Sequence, residues 1–351
     1  MTPSLQEDIR RTLRRGVVIP AHPLALTRDR KLDERRQRAL SRYYIAAGSG
    51  GLAIGVHTTQ FAIRDPQFAL YKPVLQLGRE EMDRADEGRG EKLVRVAGVI
   101  GKTEQAVSEA ATAREQGYHT ALLSLAGWGD ADDDALIAHC TRVAGELPIF
   151  GFYLQPSVGG RVLPYSFWRR FAEIENVVAI KIAPFNRYQT LDVVRAVADS
   201  GREEVALYTG NDDNIILDLL TSFRFGTAER RIAGGLLGHW AAWTRRAVEH
   251  LALCHAQVKA GSGVTPRHLQ LNLEVTDANA AFFDVANAFR GAIAGIHEVL
   301  RRQGFLEEIT CLDPNEGLGP GQKEQIDRVY AAYPHLNDDV FVREHLGEWM
   351  K

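Results

Sequence analysis

Cysteine is scarce: the 351 residues hold three, Cys140, Cys254 and Cys311, far apart and without a CxxC pair. That spacing argues against a disulfide framework and a zinc ribbon, and for a reduced, cytoplasmic protein. Long apolar runs are missing too. None reaches the roughly 18 uninterrupted apolar residues of a membrane span, and the opening MTPSLQEDIRRTLRRG is charged and lacks the apolar stretch of an export signal. Nor is there an excess of one charge: 42 Lys+Arg against 45 Asp+Glu leave a formal −3. No global field then draws nucleic acid or anionic lipid, and neither partner is expected. What the chain has is 45% hydrophobic residues, ample for a core, with no low-complexity tract.

Short apolar runs at 16–21, 51–57, 94–100, 120–125, 148–154, 177–182, 205–209 and 232–237 read as strands, most of them hydrophobic throughout as in strands covered on both faces. Helix-period segments such as 30–47, 103–116, 131–145, 164–174, 189–199 and 240–259 separate them. Eight βα units fit an α/β fold of the (β/α)8 TIM-barrel type, for which roughly 250 residues is usual. An open doubly wound sheet would place a Gly-rich turn after its first strand, where this chain has IPAHPLAL. The expected division is a barrel with the catalytic site over residues 1–260 and a helical extension over 261–351, with helical periods at 276–303 and 322–333.

In such barrels the chemistry sits at the C-terminal strand ends. Lys181, inside VVAIKIAP, is an ammonium among Val177, Val178, Ile180 and Ile182. Burial there favours the neutral amine, which can attack a ketone to give a Schiff base. The alternative is a lysine paired with a barrel carboxylate or reaching out at the strand end. Tyr153 lies 28 residues earlier, one βα unit, so its phenol is a candidate proton shuttle; the alternative is a core tyrosine bonded to backbone. Thr58 and Thr59 offer hydroxyls and a turn amide to a carboxylate. The acidic run from Asp130 to Asp134 opens a helix, as do Asp212 and Asp213, which reads as capping rather than metal ligation. No metal or other cofactor is expected.

Taken together, AGSGGLAIGVHTT at 47–59, FGFYLQPSVGG at 150–160, VVAIKIAP at 177–184, YTGNDD at 208–213 and IAGGLLG at 232–238 resemble the dihydrodipicolinate synthase and N-acetylneuraminate lyase family of pyruvate-dependent class I aldolases. The resemblance spans nearly the whole chain. It implies that Lys181 is the Schiff-base lysine, Tyr153 the proton-relay tyrosine, Thr58 a hydroxyl in the relay and Thr59 the holder of a 2-oxo acid carboxylate. Gly210 and Leu237 then line the pocket. It implies a homo-oligomer, tetramer or dimer, acting on pyruvate or another 2-oxo acid and, in some reactions, an aldehyde.

Departures from the family pattern accompany the likeness. Gln60-Phe61 stand where Gly-Glu is common, His57 replaces a usual glycine, and Val158 follows YLQPS where the lysine-biosynthetic synthase has an arginine. Ala126-Gly127-Trp128 replace a Pro-Tyr-Tyr segment. Trp128, Phe61 and Phe185 would form an aromatic lining, with His57, Asn211 and His239 supplying directed hydrogen bonds. The expected activity is a carbon–carbon lyase. The alternatives are a 2-keto-3-deoxy sugar acid dehydratase using the same imine, a sugar-phosphate enzyme built on the glycines after strands 7 and 8, and a non-catalytic keto-acid binder.

Overall fold

The computed structural model describes residues 4–351. Nine strands run in chain order: β1 (Val18–Pro20), β2 (Gly51–Ile54), β3 (Val94–Val99), β4 (Thr120–Ser124), β5 (Ile149–Leu154), β6 (Val177–Ala183), β7 (Ala206–Thr209), β8 (Ser222–Phe225) and β9 (Ala228–Leu237). Eight of them form a parallel sheet in the order β1-β9-β7-β6-β5-β4-β3-β2, and a parallel bridge between Ala21 and Ala53 brings its edges together into a barrel. Each expected apolar run lies on one of these eight strands. The ninth, β8, was not expected: it pairs antiparallel with the first half of β9 around Gly226 (φ 59°). Phe223 is buried, but Arg224 is exposed and Ser222 and Phe225 only half-buried, so SFRF lacks the continuous hydrophobic run of a barrel strand.

Alternation along each strand divides the side chains between two layers. Ile19, Ala53, Val96, Leu122, Phe150, Ala179, Tyr208 and Leu236 fill the barrel interior. The opposite faces pack against the helices. The helix Glu7–Arg15 plugs the N-terminal end: Ile9 and Leu13 join the interior, and the Tyr208 hydroxyl donates to Leu13 O at 3.0 Å.

The helical period at 276–303 is two helices, Pro266–Phe282 and Ala292–Arg302. Between them Asp284, Ala288 and Phe289 are left-handed (φ 54°, 55° and 66°), which no continuous helix tolerates. The Asp284 carboxylate holds this turn by accepting from Gly291 N at 3.1 Å and Asn287 Nδ2 at 2.6 Å. Gly295 lies so close to the first helix that a Cβ there would stand 2.0 Å from Phe282 O. The turn therefore lays Phe283 and Phe289 across the barrel mouth. Further contacts hold the extension to the barrel, among them the Tyr43 hydroxyl donating to Asp338 at 2.7 Å and Gln60 Oε1 accepting from Leu312 N at 2.6 Å.

Candidate active site

On β6 the pleat sends Ile180 and Ile182 out to the helices and Ala179, Lys181 and Ala183 into the barrel. Lys181 is 7% exposed. Its Nζ lies 4.4 Å from the centroid of the Phe152 ring and makes no hydrogen bond or ion pair within 4.0 Å among the described residues. Burial pushes its pKa down from 10.5 while the charge of Asp212 pulls the other way. The side chain runs across Gly210, where a Cβ would stand 2.6 Å from Lys181 Cε and 2.9 Å from Cγ. A glycine is the residue that leaves this path open.

Lys181 faces a pocket of about 590 Å³, its mouth included, at the C-terminal ends of the strands. His57, Thr58, Gln155 and Asp212 are its other polar walls; Phe152, Phe185, Phe283, Phe289 and Ile293 are among the apolar ones. The His57 imidazole is neutral, its pKa lowered to about 4 by burial and by the charge of Lys181. Asp212 is 4% exposed, with Oδ1 accepting from His239 N at 2.9 Å. Burial raises its pKa, and the His239 N–H and Lys181 act against that. It does not cap the seventh helix as the sequence led us to expect: that helix is Ile215–Leu220, with Asn214 in the capping position.

The remaining expected site residues divide. His57, Thr58 and Gly210 line the pocket with Lys181. Thr59 does not: its hydroxyl donates to His22 O at 2.7 Å and accepts from the amides of Gly55 and Val56, closing the turn after β2. Asn211 is spent on structure, accepting from Phe185 N at 3.0 Å and donating to Thr190 and Asp218. In that role it holds Phe185, itself left-handed at φ 52°, against the pocket. Trp128 packs on His139 at 4.5 Å and donates to Gly101 O, away from the pocket walls. Leu237 belongs to the outer layer.

Tyr153 is also turned outward. Its ring packs 5.2 Å from Trp168 and its hydroxyl accepts from Leu163 N at 3.1 Å. The cause is one residue of register. Ile149 pairs with Val177, but Phe150 pairs with Ala179, so Val178 is an extra residue on β6. Without it the 28-residue spacing would set Tyr153 opposite Lys181; with it Phe152 is opposite Lys181 and Tyr153 opposite Ile182.

No family model matches the chain. The 4-hydroxy-tetrahydrodipicolinate synthase of Moorella thermoacetica is 25% identical over 216 residues, 60% of this chain and 68% of that protein. The synthase of the same description from Alkaliphilus oremlandii is 29% identical over 116 residues; the match takes in 32% of this chain and only 38% of that protein's length. YagE from E. coli, a prophage protein belonging to the dihydrodipicolinic acid synthase family and solved in complex with pyruvate, superposes with a TM-score of 0.72. Its identity is 16%, over 91% of this chain and 97% of that one. CdNal from Clostridium difficile, in complex with mannosamine, has a TM-score of 0.70 at 14% identity over 91% and 99%.

The chain is thus similar in sequence to two 4-hydroxy-tetrahydrodipicolinate synthases and shares its fold with dihydrodipicolinate synthases and CdNal. Lys181 and the His57–Thr59 turn both lie at the C-terminal strand ends. Gln60 adopts φ 66° where the family commonly has glycine, and the Leu312 N–H bonded to its side chain holds it there. Two features of the site were missed from sequence: Asp212, whose position directly after a strand end was the available signal, and the apolar cover from Phe283, Phe289 and Ile293, for which helical period carried no signal.

Proposed function

We propose that this protein is a Schiff-base-forming lyase that makes or breaks a carbon–carbon bond in pyruvate or another 2-oxo acid. The observation that carries the reading is the buried Lys181 amine, free of any close carboxylate, at the floor of the one strand-end pocket described above. A desolvated amine gives up its proton more readily and attacks the ketone carbon; loss of water leaves an iminium that draws electrons from the bond between the α- and β-carbons. The Thr58 hydroxyl donates to Ala21 O at 2.8 Å and the Thr59 N–H to Val56 O at 3.0 Å, so within the His57–Thr59 turn it is the backbone N–H groups of His57 and Thr58 that would receive the carboxylate of the 2-oxo acid. The aromatic cover fits an apolar remainder of the substrate or an apolar aldehyde.

Three buried free thiols accord with a reducing, cytoplasmic setting, and among the described residues no helix is long and apolar enough to cross a membrane. Exposed Leu269 and Leu273, one turn apart on the helix Pro266–Phe282, accord with a homo-oligomer. The experiment that tests the activity is intact mass after incubation with pyruvate, with and without borohydride, followed by peptide mapping. A borohydride-dependent adduct on Lys181 supports the reading; no adduct with pyruvate or a larger 2-oxo acid overturns it.

A further inference from the structure

We propose that Asp212 is the acid–base residue of this site, an inference that rests on the imine reading above. Imine formation needs a proton delivered to the departing hydroxyl, and cleavage needs one taken from the substrate's hydroxyl. The family's phenol does not face the pocket here, because Tyr153 is directed into the helix layer. Among the described residues Asp212 is the one carboxyl group on the pocket wall, 96% buried, and shares that wall with Lys181 without an ion pair within 4.0 Å. One oxygen is held by the His239 N–H at 2.9 Å. The other makes no hydrogen bond among the described residues and is left for the substrate.

The steps balance. The lysine amine adds to the carbonyl carbon, and proton transfer from nitrogen to oxygen gives a neutral carbinolamine. The Asp212 carboxylic acid then protonates its hydroxyl, which leaves as water, yielding iminium and carboxylate. In cleavage the carboxylate takes the proton of the hydroxyl on the β-carbon, the far end of the scissile Cα–Cβ bond. That C–C bond breaks, its electron pair passes to the imine nitrogen, and an enamine, an aldehyde and the protonated Asp212 remain.

The test is time-resolved borohydride trapping of pyruvate on the full-length wild type and on Asp212→Asn, which keeps the acceptor for His239 N. The expected result is a capture rate lower by roughly 10²- to 10⁴-fold. A neighbour that acted only through its charge would give the opposite result, since removing a carboxylate leaves more of Lys181 neutral and capture unchanged or faster; that outcome overturns the proposal. Should the asparagine variant not fold, Asp212→Ala with added formate replaces it: recovery of capture with formate supports the role, and full capture without formate refutes it. Absence of an adduct in the wild type sinks the imine reading itself, and this inference with it.

Discussion

The Nζ of Lys181 stands 4.4 Å from the centre of the Phe152 ring, its partner across the β5–β6 ladder. A ring face attracts a cation and so offsets part of what burial takes from the ammonium. The amine is thus held in an apolar cavity without a carboxylate in contact, a state from which it is readily deprotonated for attack.

Lys181→Ala should abolish the borohydride adduct while leaving the fold intact. Removing a buried cation relieves a desolvation penalty, so the melting temperature is expected to hold or rise despite the small cavity. Thermal melts beside adduct mass check both halves, and a persisting adduct would move the chemistry to another amine.

Gly210→Ala places a methyl 2.6 Å from Lys181 Cε and 2.7 Å from Ala183 Cβ. Overpacking of this kind costs about 1–3 kcal/mol, and here it also displaces the amine. Lower stability together with slower pyruvate capture is expected; unchanged capture would show that the lysine reaches its position by another path.

For Tyr153→Phe the structure separates stability from chemistry. The lost partner of Leu163 N costs about 1 kcal/mol in denaturant unfolding. Capture of pyruvate should stay within roughly threefold of wild type, whereas loss of a proton-transfer group costs roughly 10²- to 10⁴-fold. A loss of that size would return the phenol to the relay.

Acid should weaken the fold through histidines buried in their neutral form. Burial lowers the pKa of His22 to about 4, His239 to about 3 and His297 to about 4, against 6.5 for the free side chain. A group whose folded pKa is depressed contributes stability that is fully present above the unfolded value and lost as pH falls through the folded one. These three therefore contribute fully above pH 6.5, and each loses about 1.4 kcal/mol per pH unit below it until its folded value is reached. Unfolding free energies at pH 7 and pH 5 measure the slope; a flat profile would mean that these imidazoles are not held neutral.

Much of this architecture was legible in the residues alone. Eight apolar runs at βα spacing specify a parallel barrel because strands covered on both faces must be hydrophobic throughout. A lysine inside one of them marks the floor of the site, since a cation at such a position is costly unless used. His57, Thr58 and Gly210 follow from lying just past C-terminal strand ends, the first two after β2 and the third after β7. What tertiary structure alone decided is which face each residue presents. One extra residue at Val178 sets Phe152 rather than Tyr153 beside the amine, and composition and spacing are blind to a one-residue slip between two apolar strands. Asp212 becomes a pocket carboxyl through an amide on His239, 27 residues away, and the left-handed turn at Asp284–Phe289 brings its cover. Such long-range pairings depend on where the closed barrel brings its ends together, which local sequence does not encode.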